Sequence, residues 1–148
     1  MQHNSRMPLD LLDHMYTVAY WMTGSLKKTN YLIYKTYQLV DSETTEIQLF
    51  KIFRKVFYEH YRIDAPSLVS HEVCDSEENP ESESKKLEMD GRMAVLLAEV
   101  CMLRHQAISS ILERPLETIR LLLTSKRKSM LMGVLNFALF CCLPLCFA

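Results

Sequence analysis

Residues 93–128 read MAVLLAEVCMLRHQAISSILERPLETIRLLLTSKRK. Three apolar-periodic segments follow one another, and only Glu113-Arg114-Pro115 separates the last two. Ala107, Ile108, Ile111 and Leu112 fall at helical spacing and predict one apolar stripe. Pro115 suits the first turn of a helix, where its missing N–H leaves no bond unmade, and it disfavours helical geometry at Arg114. The next helix then turns Ile119, Leu122 and Leu123 inward and leaves Thr118, Arg120, Leu121, Thr124 and Ser125 nearer the outer face. Lys126, Arg127 and Lys128 close it, where cations favour the helix dipole and can reach phosphates. Together these segments predict a helix-turn-helix, a unit that can lay its second helix in a DNA groove. The same periodicity also fits a plain three-helix bundle with a basic end.

Upstream, the chain reads as all-helical. Residues 11–22 carry apolar side chains at helical spacing until Thr23-Gly24-Ser25 breaks the pattern. A second helix is expected over 26–39, with Tyr31, Leu32, Tyr34 and Tyr37. Asp41 or Ser42 is a plausible cap for a third. That third helix, over 47–61, is aromatic and basic. Ile47, Phe50, Phe53, Phe57 and Tyr61 line one side, with Lys51, Arg54, Lys55 and Arg62 among them. Between the two blocks, DSEENPESESKK has no apolar run. Such composition buries too little surface to order itself and predicts a flexible tether, although its acids also suit a decoy for the basic helices.

Charge follows the same division. Residues 1–63 hold eight Lys/Arg against six Asp/Glu, residues 65–91 two against eight, and residues 92–128 seven against three. Two slightly basic blocks therefore flank an acidic segment, although the formal net charge is only −1. The expected fold is all-α. It has a helical domain at 8–63, an acidic flexible linker at 64–91, a helix-turn-helix domain at 92–131 and a hydrophobic tail at 132–148. Five cysteines without regular spacing argue against a disulfide framework. No secretory signal is evident at the start, which makes the cytoplasm the expected compartment. His3, His14, His60, His71 and His105 are scattered, and His71 lies three residues before Cys74 in the acidic segment. No metal site, phosphate loop or catalytic dyad is expected.

Two stretches of the first block and one of the second share a pattern. MYTVAYWMTGSLKKTNYLIYKTYQL has an aromatic-aliphatic helix, a break at Met22-Thr23-Gly24 and a helix ending in Thr36-Tyr37. LFKIFRKVFYEHYR is the basic, aromatic helix, and AISSILERPLETIR is the helix-turn-helix. In this order the chain resembles a bacterial RNA polymerase sigma factor of the sigma-70 family, of the small two-domain extracytoplasmic-function type. The resemblance covers about residues 9–131, linker excepted. It implies a binding protein rather than an enzyme, with core RNA polymerase and promoter DNA as partners, no cofactor, and an anti-sigma protein as a further partner. The helix at 49–62 is similar to the one that melts and reads the minus-ten element. The helix-turn-helix is similar to the minus-thirty-five reader. In the family, the helix matching 28–37 presents acidic residues and a Gln to the polymerase clamp. Here Lys28, Asn30, Tyr31, Tyr34 and Lys35 stand there, and Tyr31, Tyr34 and Lys35 become the expected polymerase contacts. Gln48 stands where the family has a Trp, and Leu121 where a polar or basic reader is usual.

From the resemblance, Lys51, Arg54, Lys55 and Arg62 would engage phosphates, which confers affinity but no sequence information. Tyr58 and Tyr61 are the aromatics expected to be exposed for stacking on an unpaired base. Phe50, Phe53 and Phe57 fit a core stripe. Thr118, Arg120, Thr124 and Ser125 are the candidates near base edges, and Lys126, Arg127 and Lys128 the backbone contacts. An alternative reading keeps the scaffold without the activity: a sigma-like interaction or regulatory protein that does not bind polymerase or promoter.

Residues 129–148, SMLMGVLNFALFCCLPLCFA, carry no charged side chain. At ~1.5 Å per residue a helix of that length spans about the thickness of a bilayer core. A membrane-contacting tail is expected, with packing back on the body as the alternative. Cys141, Cys142 and Cys146 fit as small apolar residues, with lipidation sites as the lesser alternative.

Overall fold

A computed structural model describes residues 7–61 and 80–142, with side chains described for 7–61 and 82–129. A short 3-10 helix at Pro8–Leu11 leads into six α-helices: α1 (Leu12–Thr23), α2 (Leu26–Tyr37), α3 (Glu46–Tyr61), α4 (Pro80–Glu99), α5 (His105–Leu112) and α6 (Leu116–Cys142). No strand occurs among the described residues, and the fold is all-α as expected.

The breaks have local causes. Gly24 ends α1 at φ +64°, a left-handed conformation that costs glycine little, and its N–H donates to the Tyr20 carbonyl at 2.8 Å. Helix α3 is capped by neither Asp41 nor Ser42. Asp41 instead closes a turn on itself, accepting from the Glu43 N–H at 3.0 Å and from the Thr44 hydroxyl at 2.8 Å. The cap is Thr45, whose N–H donates to Gln48 Oε1 at 2.9 Å while the Gln48 N–H donates back to Thr45 Oγ1 at 3.4 Å. This reciprocal capping box gives Gln48 a structural task. Between α5 and α6 the chain turns at Glu113, which adopts φ +53°. Ser109 Oγ fastens the turn by donating to the Arg114 carbonyl at 2.6 Å.

The tether expected at 64–91 is overturned in its second half, because α4 begins at Pro80. Residues 62–79 lie outside the described part. Proline suits the first turn, and acids early in a helix favour its dipole. The remaining stabilisation is tertiary. Met93, Ala94 and Leu97 are fully buried, and so is Asp90, whose charge is matched by partners far along the chain.

Helices α1–α3 form one unit and α4–α6 a second, and one apolar cluster runs through both. Phe50, Phe53 and Phe57 of α3 are fully buried in it, as are Ile108, Ile111 and Leu112 of α5. Helix α5 packs on α3, and α4 packs on α1, where Arg92 donates to the Trp21 carbonyl at 3.1 Å. Helix α4 also runs close to α6. A Cβ placed on Gly91 would stand 2.9 Å from Lys126 Cγ and 3.3 Å from Leu122 Cδ2, so a residue without a side chain belongs there. Helix α6 passes the expected tail boundary at 132 and continues to Cys142. Among the described residues no helix is long and apolar enough to cross a membrane.

Candidate nucleic-acid interface

The residues expected on α3 separate into two sets. Lys55 is exposed and pairs loosely with Glu59, at 4.0 Å along its own helix. Tyr61 is partly exposed; its ring stacks 4.6 Å from that of Phe57, and Lys28 Nζ lies 5.6 Å over its face. Arg62 lies outside the described residues. The other set faces the second unit. Tyr58, expected to be exposed, is only 3% accessible, and Arg54 retains 17% of its side-chain surface.

A four-membered polar bracket explains the correction. The Arg54 guanidinium grips the Asp90 carboxylate with both arms, Nε to Oδ1 at 2.9 Å and Nη2 to Oδ2 at 3.2 Å. The Tyr58 hydroxyl also donates to Asp90 Oδ1, and the Arg54 guanidinium lies 4.7 Å over the Tyr58 ring. From the turn between α5 and α6, Arg114 Nε donates to Asp90 Oδ2 at 2.6 Å while its Nη2 reaches Glu83 at 2.9 Å. A fully buried carboxylate is thus satisfied by three donors from two units. Burial works against the charge on Arg54 and on Arg114, but the hydrogen bonds and charge of Asp90, joined at Arg114 by those of Glu83, raise both pKa values. Burial, aided by the bond to Asp90, also pushes the Tyr58 phenol well above its ordinary range, so it remains a donor.

Lys51 reaches toward the same face, 3.9 Å from Glu113. Beside the bracket lies an open groove of about 330 Å³ lined by Lys51, Ile52, Arg54, Lys55, Tyr58, Ile111 and Glu113.

On α6 the expected orientation holds. Ile119, Leu122 and Leu123 are buried, and Leu121 is 72% exposed. Arg120, Thr124 and Ser125 are exposed and Thr118 is half-buried. The hydroxyls are partly engaged at home, Thr124 donating to the Arg120 carbonyl at 2.9 Å and Ser125 to that of Leu122 at 3.2 Å. Arg120 pairs with Glu117 at 2.8 Å. The basic end divides: Lys126 lays its stem over Gly91 with Nζ 3.7 Å from Glu88, and Arg127 pairs with Glu99 at 2.7 Å, whereas Lys128 is exposed.

Tyr31, Tyr34 and Lys35 share the exposed side of α2. Lys35 lies 5.9 Å over the Tyr31 ring, which is 5.0 Å from that of His60. Tyr16 donates to Asn30 and continues this aromatic surface onto α1. Among the described residues, no group of three or more His, Cys, Asp and Glu could hold a metal ion, and the His71–Cys74 pair lies outside them.

No family model and no curated protein matches the chain. Among solved structures it is similar to the sigma factor RpoE from Bartonella quintana, in a co-crystal with the anti-sigma factor NepR. The TM-score is 0.56 with 18% identity, over 81% of this chain and 89% of that one. The fold is that of a sigma factor. At this identity the likeness speaks for architecture, and it spans both units. Sequence reasoning missed Asp90 and Arg114 at the centre of the bracket. A signal for Asp90 was present: with Met93, Ala94 and Leu97 it falls on the apolar stripe of α4, where a charge requires a partner.

Proposed function

We propose that the chain is a sigma-like subunit of transcription initiation, a binding protein rather than an enzyme. In this reading it meets core RNA polymerase through the α2 surface of Tyr31, Tyr34 and Lys35. It meets promoter DNA through α3 and the outer face of α6. The observation that supports the proposal is a fold like that of a sigma factor, with Lys55 on the basic, aromatic α3 and Arg120 and Lys128 on α6 open to solvent. Phosphate contacts from these cations supply salt-dependent affinity, and strand opening needs a stacking platform, for which Tyr61 is the partly exposed candidate. Because the similar sigma factor was crystallised with an anti-sigma factor, a protein of that kind belongs to the proposed partners. The test is co-elution of the purified chain with core polymerase, followed by reconstituted transcription. Binding and promoter-dependent transcripts are expected; absence of co-elution at every ionic strength contradicts the proposal.

A second reading has its own support. Arg54 and Tyr58 are turned inward, and α2 holds three lysines and no acid where the resembled family presents acids to polymerase. Like charge at a complementary interface weakens encounter. A sigma-like regulator that binds neither polymerase nor promoter fits those facts, and promoter-specific transcription in the reconstituted assay excludes it.

A further inference from the structure

We propose that the closed packing of the two units is a self-held resting state, in which the Asp90 carboxylate occupies the anion-binding fork of Arg54 that a DNA phosphate takes when the units part. The inference rests on reading α3 as a DNA-contacting helix. A two-armed guanidinium grip is the geometry by which arginine takes either a carboxylate or a phosphate. While Asp90 fills it, Arg54 also covers the face of Tyr58, and that ring has no free side for a base. Glu113 lies 3.9 Å from Lys51 in an exposed pair, a looser screen on the same face. Two of the α3 candidates, Arg54 and Tyr58, are therefore held by an acid of the second unit, and a third faces one.

The bracket is asymmetric, which makes it releasable from one side. Asp90 keeps Arg114 at 2.6 Å within its own unit, and Glu83 steadies that arginine. If Arg54 and Tyr58 leave, the carboxylate is still paired and gains access to water. Parting the units therefore strands no charge, the costly event in breaking a buried pair. The open groove lined by Lys51, Arg54 and Lys55 lets a phosphate approach the rim of the bracket before it opens. DNA and the closed state then compete for one fork, and the apparent affinity for DNA is lowered by the fraction of molecules that are closed.

The test uses the full chain with two variants, Asp90→Asn and Tyr58→Phe. Small-angle scattering reads separation of the units, circular dichroism reads retained helix, and a labelled AT-rich single-stranded oligonucleotide reads binding. Asp90→Asn is expected to expand the particle without loss of helix and to tighten oligonucleotide binding about tenfold as the open fraction rises. Tyr58→Phe, which keeps the ring but loses the donated bond, should move both readouts the same way by a smaller factor. If Asp90→Asn loses helix, Tyr58→Phe alone decides. Variants as compact as the parent, binding no tighter, overturn the resting lock. Expansion without tighter binding overturns the reading of α3 as a DNA helix, and the competition with it.

Discussion

Helices α3 and α6 present similar side chains and meet opposite fates. Both alternate buried aliphatic or aromatic residues with cations, and both are candidates for DNA. On α3 the next unit lies across the cationic side: Arg54 and Tyr58 are drawn onto Asp90 and Lys51 toward Glu113. On α6, Arg120, Thr124 and Lys128 remain at the surface, and the acids that pair there, Glu117 and Glu99, are themselves exposed. The difference teaches that a helix's own pattern sets which face is apolar, whereas its neighbour decides whether the polar face is available. An exposed pair such as Arg120–Glu117 contributes ~0.3–0.5 kcal/mol, while a buried carboxylate with three donors resists removal of any one of them by several times that.

The contrast can be broken most forcefully at its centre. Asp90→Ala leaves Arg54 and Arg114 facing one another without their shared carboxylate and should cost about 3–5 kcal/mol in urea denaturation. A loss as small as that of a surface substitution would erase the distinction between the two helices. On α6, Ile119→Ala should cost about 2–4 kcal/mol by cavity formation, and Leu121→Ala within about 0.5 kcal/mol, both read from denaturation midpoints. Equal costs would mean that the helix is rotated. Thr45→Ala should cost about 1 kcal/mol by removing half of the α3 capping box, an effect confined to the helix start. The smallest stability change is expected at Lys128→Ala, which should leave the melting temperature unchanged while lowering the slope of log affinity against log salt by about 1 for duplex DNA. An unchanged slope would remove Lys128 from the phosphate contacts.

Much of this architecture was legible from local chemistry. Gly24 and Pro115 punctuate the chain where their backbone preferences require, and the Phe50–Phe53–Phe57 stripe reads directly as core. The capping box was also written in the sequence as Thr45-Glu46-Ile47-Gln48, although the nearer acid at Asp41 draws the eye first. Apart from the place of Asp90 on the apolar stripe, residues 80–91 were illegible for a physical reason. Their acids argue against burial one by one, and what orders them is a set of partners, Arg54, Arg114 and Lys126, supplied by other helices. Tyr58 is misplaced by sequence for the same reason, since it sits beside Phe57 at the margin of the apolar stripe and turns inward only because Asp90 waits across the interface. Of the candidate interface, the α6 face was readable because it depends on one helix; the α3 face depends on two.

The central claim is that Arg54 and Asp90 join the two units through a bond that neither unit makes alone. A double-mutant cycle in denaturant, with Arg54→Met, Asp90→Asn and the pair, measures it directly. The account predicts a coupling above about 1 kcal/mol between the two sites; additivity to within about 0.5 kcal/mol would contradict it.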